Sequence, residues 1–130
     1  MKLSPRPGPF RLSLGDRGEM AAWTFLIKQG YKIKEKNYRC KLGELDVVAE
    51  KAGRLVFVEI KTRSEGSGFG RPEESVQVAK QRKLLKLAAW YLKEKKKWGT
   101  PVSFDVLAVT WKQAKGPEFR LIPNAFMADD

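Results

Sequence analysis

Residues Gly43 to Arg63, GELDVVAEKAGRLVFVEIKTR, restrict the fold more than any other stretch. Two strand-like runs meet at a polar turn, and side chains of a strand alternate between its two faces. In the first run Glu44 and Asp46 share a face with Val48, opposite Leu45, Val47 and Ala49. In the second, Phe57, Glu59 and Lys61 share a face, opposite Val56, Val58 and Ile60. A two-residue turn at Ala52-Gly53 places Asp46 across from Glu59 and Glu44 across from Lys61. Ala-Gly is not the strongest hairpin dipeptide, and a bulge would shift this register. Opposed residues of an antiparallel pair have Cβ atoms roughly 4.5–5.5 Å apart, so two carboxylates facing each other repel. A divalent cation would remove the conflict, because oxygen ligands suit Mg²⁺.

The rest of the composition narrows the chemistry available to that hairpin. There is no histidine, which excludes Ser-His-Asp and Cys-His catalysis, His-ligated zinc and imidazole acid–base pairs. One cysteine, Cys40, can build neither an internal disulfide framework nor a thiolate metal site, and it fits a reducing compartment. Carboxylates, lysine, water and a hard metal are what remain. The formal charge of +11 favours a polyanionic partner, nucleic acid before an anionic membrane, over a basic protein with no such partner. No signal-peptide-like run opens the chain and no segment is apolar enough to span a membrane, so the cytoplasm is the expected location. A length of 130 residues suits one domain.

Residues 1–14, with three prolines and several basic residues, read as a flexible arm. Asp16 is the expected N-cap of a first helix ending near Gly30, with Glu19 as its capping-box partner. Tyr31 to Lys36 alternates as a strand. Its outward Lys32, Lys34 and Lys36 mark either a guarded sheet edge or a phosphate-facing surface. Asn37 to Leu42 is expected to turn into the hairpin. The polar loop after Lys61 lacks the Gly-Lys-Ser/Thr ending of a phosphate-binding loop. A long helix is expected from about residue 72 to 97, with Pro72, Glu73 and Glu74 suited to its start. Its stripe is Gln77, Lys80, Leu84, Leu87, Ala88 and Tyr91, so two polar residues head an apolar face. They either approach a polar site or snorkel at the core's margin. The KEKKK run is expected to be a solvated helix end. Pro101 to Trp111 reads as a strand buried on both faces, and Glu118 to Ile122 as a last short strand. No repeat or second domain is evident, and residues 127–130 form a tail.

Phosphodiester hydrolysis needs an attacking water and stabilisation of charge on the phosphate and leaving oxygen. Mg²⁺ held by carboxylates supplies most of this. Asp46 and Glu59 are the expected main ligands, with the backbone carbonyl of Ile60 as another. Lys61 stands two residues, or roughly 6.6 Å, along the strand from Glu59. There it can orient the water or neutralise developing charge. Glu19 is either a further metal or water ligand or only a capping residue. The competing view of the hairpin is a surface sheet with crossed ion pairs, Glu44–Lys61 and Glu59–Lys61.

Several pieces of the chain resemble a known family. They are Gly18-Glu19 with Ala21-Ala22, Gly30-Tyr31, Asn37-Tyr38-Arg39 and Gly43-Glu44-Leu45-Asp46. Further pieces are Phe57-Val58-Glu59-Ile60-Lys61-Thr62-Arg63, Lys80-Gln81, Phe104-Asp105-Val106 and Asn124-Ala125-Phe126. Together they resemble the YraN-like group of small bacterial proteins, related to archaeal Holliday junction resolvases within the PD-(D/E)XK nuclease superfamily. The resemblance runs from Gly15 to Phe126. It implies an α/β, restriction-endonuclease-like domain over residues 15–126, a mixed β-sheet flanked by α-helices. It also implies Asp46 and Glu59 as metal ligands, Lys61 as the catalytic lysine and Glu19 as the helix-borne acidic residue. Gln81 is implied as the contribution of the long helix, with Gln77 the alternative. Arg39, Arg63 and Lys80 are the expected nucleic-acid contacts. Leu45 stands where the nominal motif has proline, a position that members of the superfamily often vary.

These readings make a Mg²⁺- or Mn²⁺-dependent endonuclease acting on branched or structured DNA the leading expectation. Its rival is a nucleic-acid-binding or scaffold module of the same fold without turnover, and RNA processing is a third. Related resolvases work in pairs, so a homodimer is expected by analogy.

Overall fold

The computed structural model describes residues 13–66 and 78–126. The expected arm except its last two residues, residues 67–77 with Pro72, Glu73, Glu74 and Gln77, and the tail lie outside this range. Helix α1 spans Leu14–Lys28. Its N-cap is Ser13, whose hydroxyl accepts the Asp16 N–H at 3.0 Å. Asp16 is therefore not the cap. Ser13 and Asp16 are both cap-forming types three residues apart, and the earlier one satisfies the N–H of the third helical residue. Asp16 instead sits in the first turn, at the positive end of the helix dipole. Leu14 belongs to the helix, and Glu19 is released from the capping role.

Five strands follow: β1 (Lys32–Cys40), β2 (Gly43–Lys51), β3 (Arg54–Ser64), β4 (Val102–Lys112) and β5 (Gly116–Phe126). Helix α2 (Val78–Glu94) joins β3 to β4. The strands lie in chain order across one sheet, antiparallel except for the β3–β4 pair. A parallel pair needs a long crossover, which α2 supplies. This is the expected α/β mixed sheet flanked by helices, consistent with a restriction-endonuclease-like fold, in a single domain. Helix α1 packs its Ala22 and Leu26 on one face with Val47, Ala49, Val56, Val58, Leu107 and Val109. Helix α2 covers the other face, burying Leu84, Leu87, Ala88 and Tyr91 against Val48, Phe57, Phe104 and Val106. Of the expected stripe, Leu84, Leu87, Ala88 and Tyr91 are buried and Lys80 is half-exposed, while the helix ends at Glu94, short of the expected residue 97. Among the described residues no helix is long and apolar enough to cross a membrane.

The hairpin turn forms where expected. Ala52 (φ 51°) and Gly53 (φ 78°) are both left-handed, as a two-residue type I′ turn requires. The register follows from Lys51↔Arg54 to Val47↔Val58 and then stops, one step short of Asp46 and Glu59. Alternation also breaks there. Val47 packs on the α1 side and Val48 on the α2 side, yet Leu45 joins the α2 side too. Strand β1 changes face at the matching place: Lys36 lies over the Trp23 ring of α1, whereas Tyr38 packs in the α2 core. Between these pairs stand Asn37 and Asp46, and Asn37 is left-handed at φ 52°. The expected turn at Asn37 is therefore a kink within a strand that continues to Cys40. The shared face expected for Glu44, Asp46 and Val48 does not survive it.

A second left-handed asparagine, Asn124 (φ 50°), lies in β5 where the β4–β5 register shifts between Phe104 and Val106. The Asp105 carboxylate, 4% exposed, serves this irregularity. One oxygen accepts the Asn124 N–H at 3.0 Å, and the other accepts the Tyr31 hydroxyl at 2.7 Å.

Candidate active site

Where the β2–β3 ladder stops, the side chain of Asp46 takes over from the backbone. Its Oδ2 accepts the Ile60 N–H at 2.8 Å, so a β3 donor that has left the ladder stays bonded. Glu59, 8% exposed, points to the α2 side, hydrogen-bonded to Asp46. Two ammonium groups converge on its Oε2: Lys80 of α2 at 2.9 Å and Lys61 of β3 at 3.4 Å. A cavity of about 10 Å³ lies beside the pair, lined also by Leu84, Phe104 and Asp105. That is room for about one water, so any larger substrate would have to lie outside it.

The charges divide unevenly. Asp46 is pushed up to about 7, first by burial and then by its hydrogen bond and repulsion with Glu59; the Ile60 N–H opposes the shift. Burial would also raise Glu59, but the bond from Asp46 and the ammonium groups of Lys80 and Lys61 outweigh it and hold Glu59 below the usual range. One proton on Asp46 and two lysines around Glu59 thus relieve the repulsion expected from the sequence.

Of the expected site residues, Asp46, Glu59, Lys61 and Lys80 come together, and Ile60 joins them through its N–H. Glu19 is on α1. Burial and the charges of Glu44 and Asp16 raise its pKa, and its charge in turn raises that of Asp46. It belongs to the same electrostatic neighbourhood without bonding to the pair. Gly18 brings it there: a Cβ at that position would stand 2.3 Å from Thr62 Oγ1, so only glycine lets α1 approach β3 this closely. Gln81 follows Lys80 in α2. Arg63 lies two residues beyond Lys61 on β3. Arg39, 78% exposed in its side chain, pairs with Glu44. The expected Glu44–Lys61 pairing is therefore corrected: the break at Asn37 and Asp46 turns Glu44 to its β1 neighbour.

Asp46 and Glu59 are the oxygen donors here that could hold a hard cation such as Mg²⁺. Among the described residues no group of three or more His, Cys, Asp or Glu side chains is assembled for a metal. Two carboxylates alone suit an ion that keeps several waters and binds few protein ligands.

Comparison with known proteins places these residues in context. The model of the uncharacterised protein family UPF0102 matches residues 18–109, which include Glu19, Asp46, Glu59, Lys61 and Lys80. A UPF0102 protein of Geobacter metallireducens is 41% identical over 114 residues, covering 88% of this chain and 92% of that protein. One from Syntrophotalea carbinolica is 44% identical over 119 residues, covering 92% and 95%. One from Moorella thermoacetica is 44% identical over 114 residues, covering 86% and 93%.

Proposed function

The chain belongs to the UPF0102 family, and we propose that it is a Mg²⁺-dependent endonuclease that hydrolyses phosphodiesters of branched or structured DNA. The observation that carries this reading is the close Asp46–Glu59 carboxylate pair with Lys61 3.4 Å from Glu59, at the frayed end of a hairpin. Such a pair, largely buried yet reached by two partly exposed lysines, is a poor way to stabilise a sheet and a good way to prepare a cation site.

Asp46, Glu59 and the Ile60 carbonyl would hold Mg²⁺, which when bound supplies Lewis-acid stabilisation of the phosphate and activates water. The chain's own residues set the geometry. The Ile60 N–H fixes the Asp46 carboxylate, and Lys80 tethers Glu59. Lys61, on the strand beside Glu59, can turn its ammonium to the attacking water or to charge developing on the phosphate. Glu19 adds negative charge from the α1 side. The charge of +11 draws the polyanion in and makes its binding salt-dependent.

Purified protein with Mg²⁺ or Mn²⁺ should cut four-way junction, flap or duplex DNA, and Asp46→Ala, Glu59→Ala and Lys61→Ala should each lose at least ~10²-fold in rate. Absence of cleavage on all three substrates overturns the reading.

One observation favours a second reading. Lys61 and Lys80 already pair with Glu59, so its charge is met without a metal. A DNA-binding module without turnover would bind DNA in a salt-dependent way and keep that binding in all three alanine variants. RNA is distinguished by comparing affinities for junction DNA, duplex DNA and structured RNA at one salt concentration.

A further inference from the structure

At the opposite end of the hairpin from Asp46 and Glu59 lies a cleft of about 390 Å³. The β2–β3 turn forms one wall, and Lys32, Lys51, Arg54 and Lys97 reach it from β1, β2, β3 and the segment after α2. Glu59 lies five residues along β3 from Arg54, roughly 16 Å of extended chain. The cleft is therefore a separate place, outside the reach of the catalytic carboxylates.

Its charge is unbalanced. Glu50 is the one carboxylate in the lining, and it lies 4.0 Å from Lys34, outside the cleft. Lys51 rests its ammonium over the Tyr31 ring. Lys32, Arg54 and Lys97 have no carboxylate partner among the described residues. Solubility and helix dipoles account for single lysines such as Lys93. They do not account for four cations from four parts of the chain meeting in one concavity. Next to Lys97 stands Trp98, 64% exposed, an aromatic surface that a nucleobase can stack on and an inorganic anion cannot use.

We propose that this cleft is a second nucleic-acid contact, which holds phosphates of the same molecule away from the cut and anchors it on the protein. The proposal rests on the reading that the ligand is nucleic acid, and it needs no turnover. It assigns Lys32, Arg54 and Lys97 to phosphates and Trp98 to an unpaired base. These residues govern affinity and leave the chemical step to the far end of the hairpin.

The test compares two triple variants of equal net charge. K32Q/R54Q/K97Q removes the cleft's cations, and K86Q/K93Q/K115Q removes three exposed lysines elsewhere. Five of the six substituted side chains are exposed and Lys97 is half-buried, and unchanged melting of both variants verifies the fold. Binding of a fluorescein-labelled four-way junction and of a single-stranded 20-mer is followed by anisotropy from low to high salt. The cleft variant should bind at least ~10-fold more weakly at moderate salt and lose about 2–3 from the slope of log K against log salt, close to one per phosphate contact removed. The control should keep most of both. Equal losses in the two variants, or no loss in the cleft variant, overturn the inference. Metal-dependent cleavage is scored separately at saturating DNA. Cleft-dependent binding without cleavage leaves this site standing and removes the nuclease reading. Cleavage with cleft-independent binding does the reverse.

Discussion

Asp46 meets two demands at once. Its carboxyl holds the Ile60 N–H, which either protonation state can do, and it meets Glu59, which only the protonated state does without repulsion. Because its pKa in the fold, about 7, lies above the ordinary 3.8, the stability it contributes is complete below about pH 4 and lost as pH rises through 7. Asparagine keeps the acceptor for Ile60, donates to Glu59 and carries no charge. Asp46→Asn should therefore be more stable than the native protein, by a margin of a few kcal/mol that grows from pH 5 to pH 8 in denaturant titrations. A constant or shrinking margin would count against the protonated pair. On the proposed reading the same proton competes with a metal. Mg²⁺ or Mn²⁺ binding should release close to one proton below pH 7 and almost none above pH 8, with affinity rising up to about pH 7. Calorimetry in buffers of different ionisation enthalpy measures this directly. That Asp46, Glu59 and Lys61 come together was legible from the Ala52-Gly53 turn and from the alternation of β3. The Lys80 bond to Glu59 was only half legible. Helical spacing marks a polar head on an apolar stripe, but which strand it meets depends on tertiary packing.

At the scale of elements, α1 and β3 touch through Gly18 and Thr62. Gly18→Ala puts a methyl group into the Thr62 side chain, and relief requires α1 to move, carrying Glu19 with it. The expected cost is about 1–3 kcal/mol, as for other overpacked contacts. Thr62→Ala removes two of the three crowding atoms and should recover part of that loss. A double-mutant cycle with no coupling between the two positions would show that they do not meet as described. The turn and register of the hairpin could be read from the sequence because two left-handed residues at Ala52-Gly53 leave little freedom to the strands beside them. The fraying at Asp46 could not. It depends on Asn37, one strand away, taking a left-handed conformation that asparagine accepts but does not announce. The true start of α1 was hidden for a simpler reason: Ser13 and Asp16 send the same capping signal, and only the hydrogen bond distinguishes them.

Across the whole molecule, Asp105 ties distant parts together. Its carboxylate joins Tyr31, where the chain passes from α1 to β1, to Asn124 near the end of β5. Asp105→Ala leaves a buried hydroxyl and a backbone N–H without their acceptor. The expected loss is about 3 kcal/mol, and a fall in Tm on the order of 10 °C. Calorimetry that finds the variant as stable as the native protein would exclude this clasp. Sequence reading finds Asp105 only as part of a family-like motif, because its partners lie 74 and 19 residues away.

The two left-handed asparagines have a consequence for how molecules meet. Strands β1 and β5 are the outer rails of the sheet, and Asn37 and Asn124 bend one each. A straight neighbouring strand laid along either rail would lose its bonding after a few residues. Each edge thus offers only short runs of straight backbone, which works against the lengthening of a sheet from copy to copy.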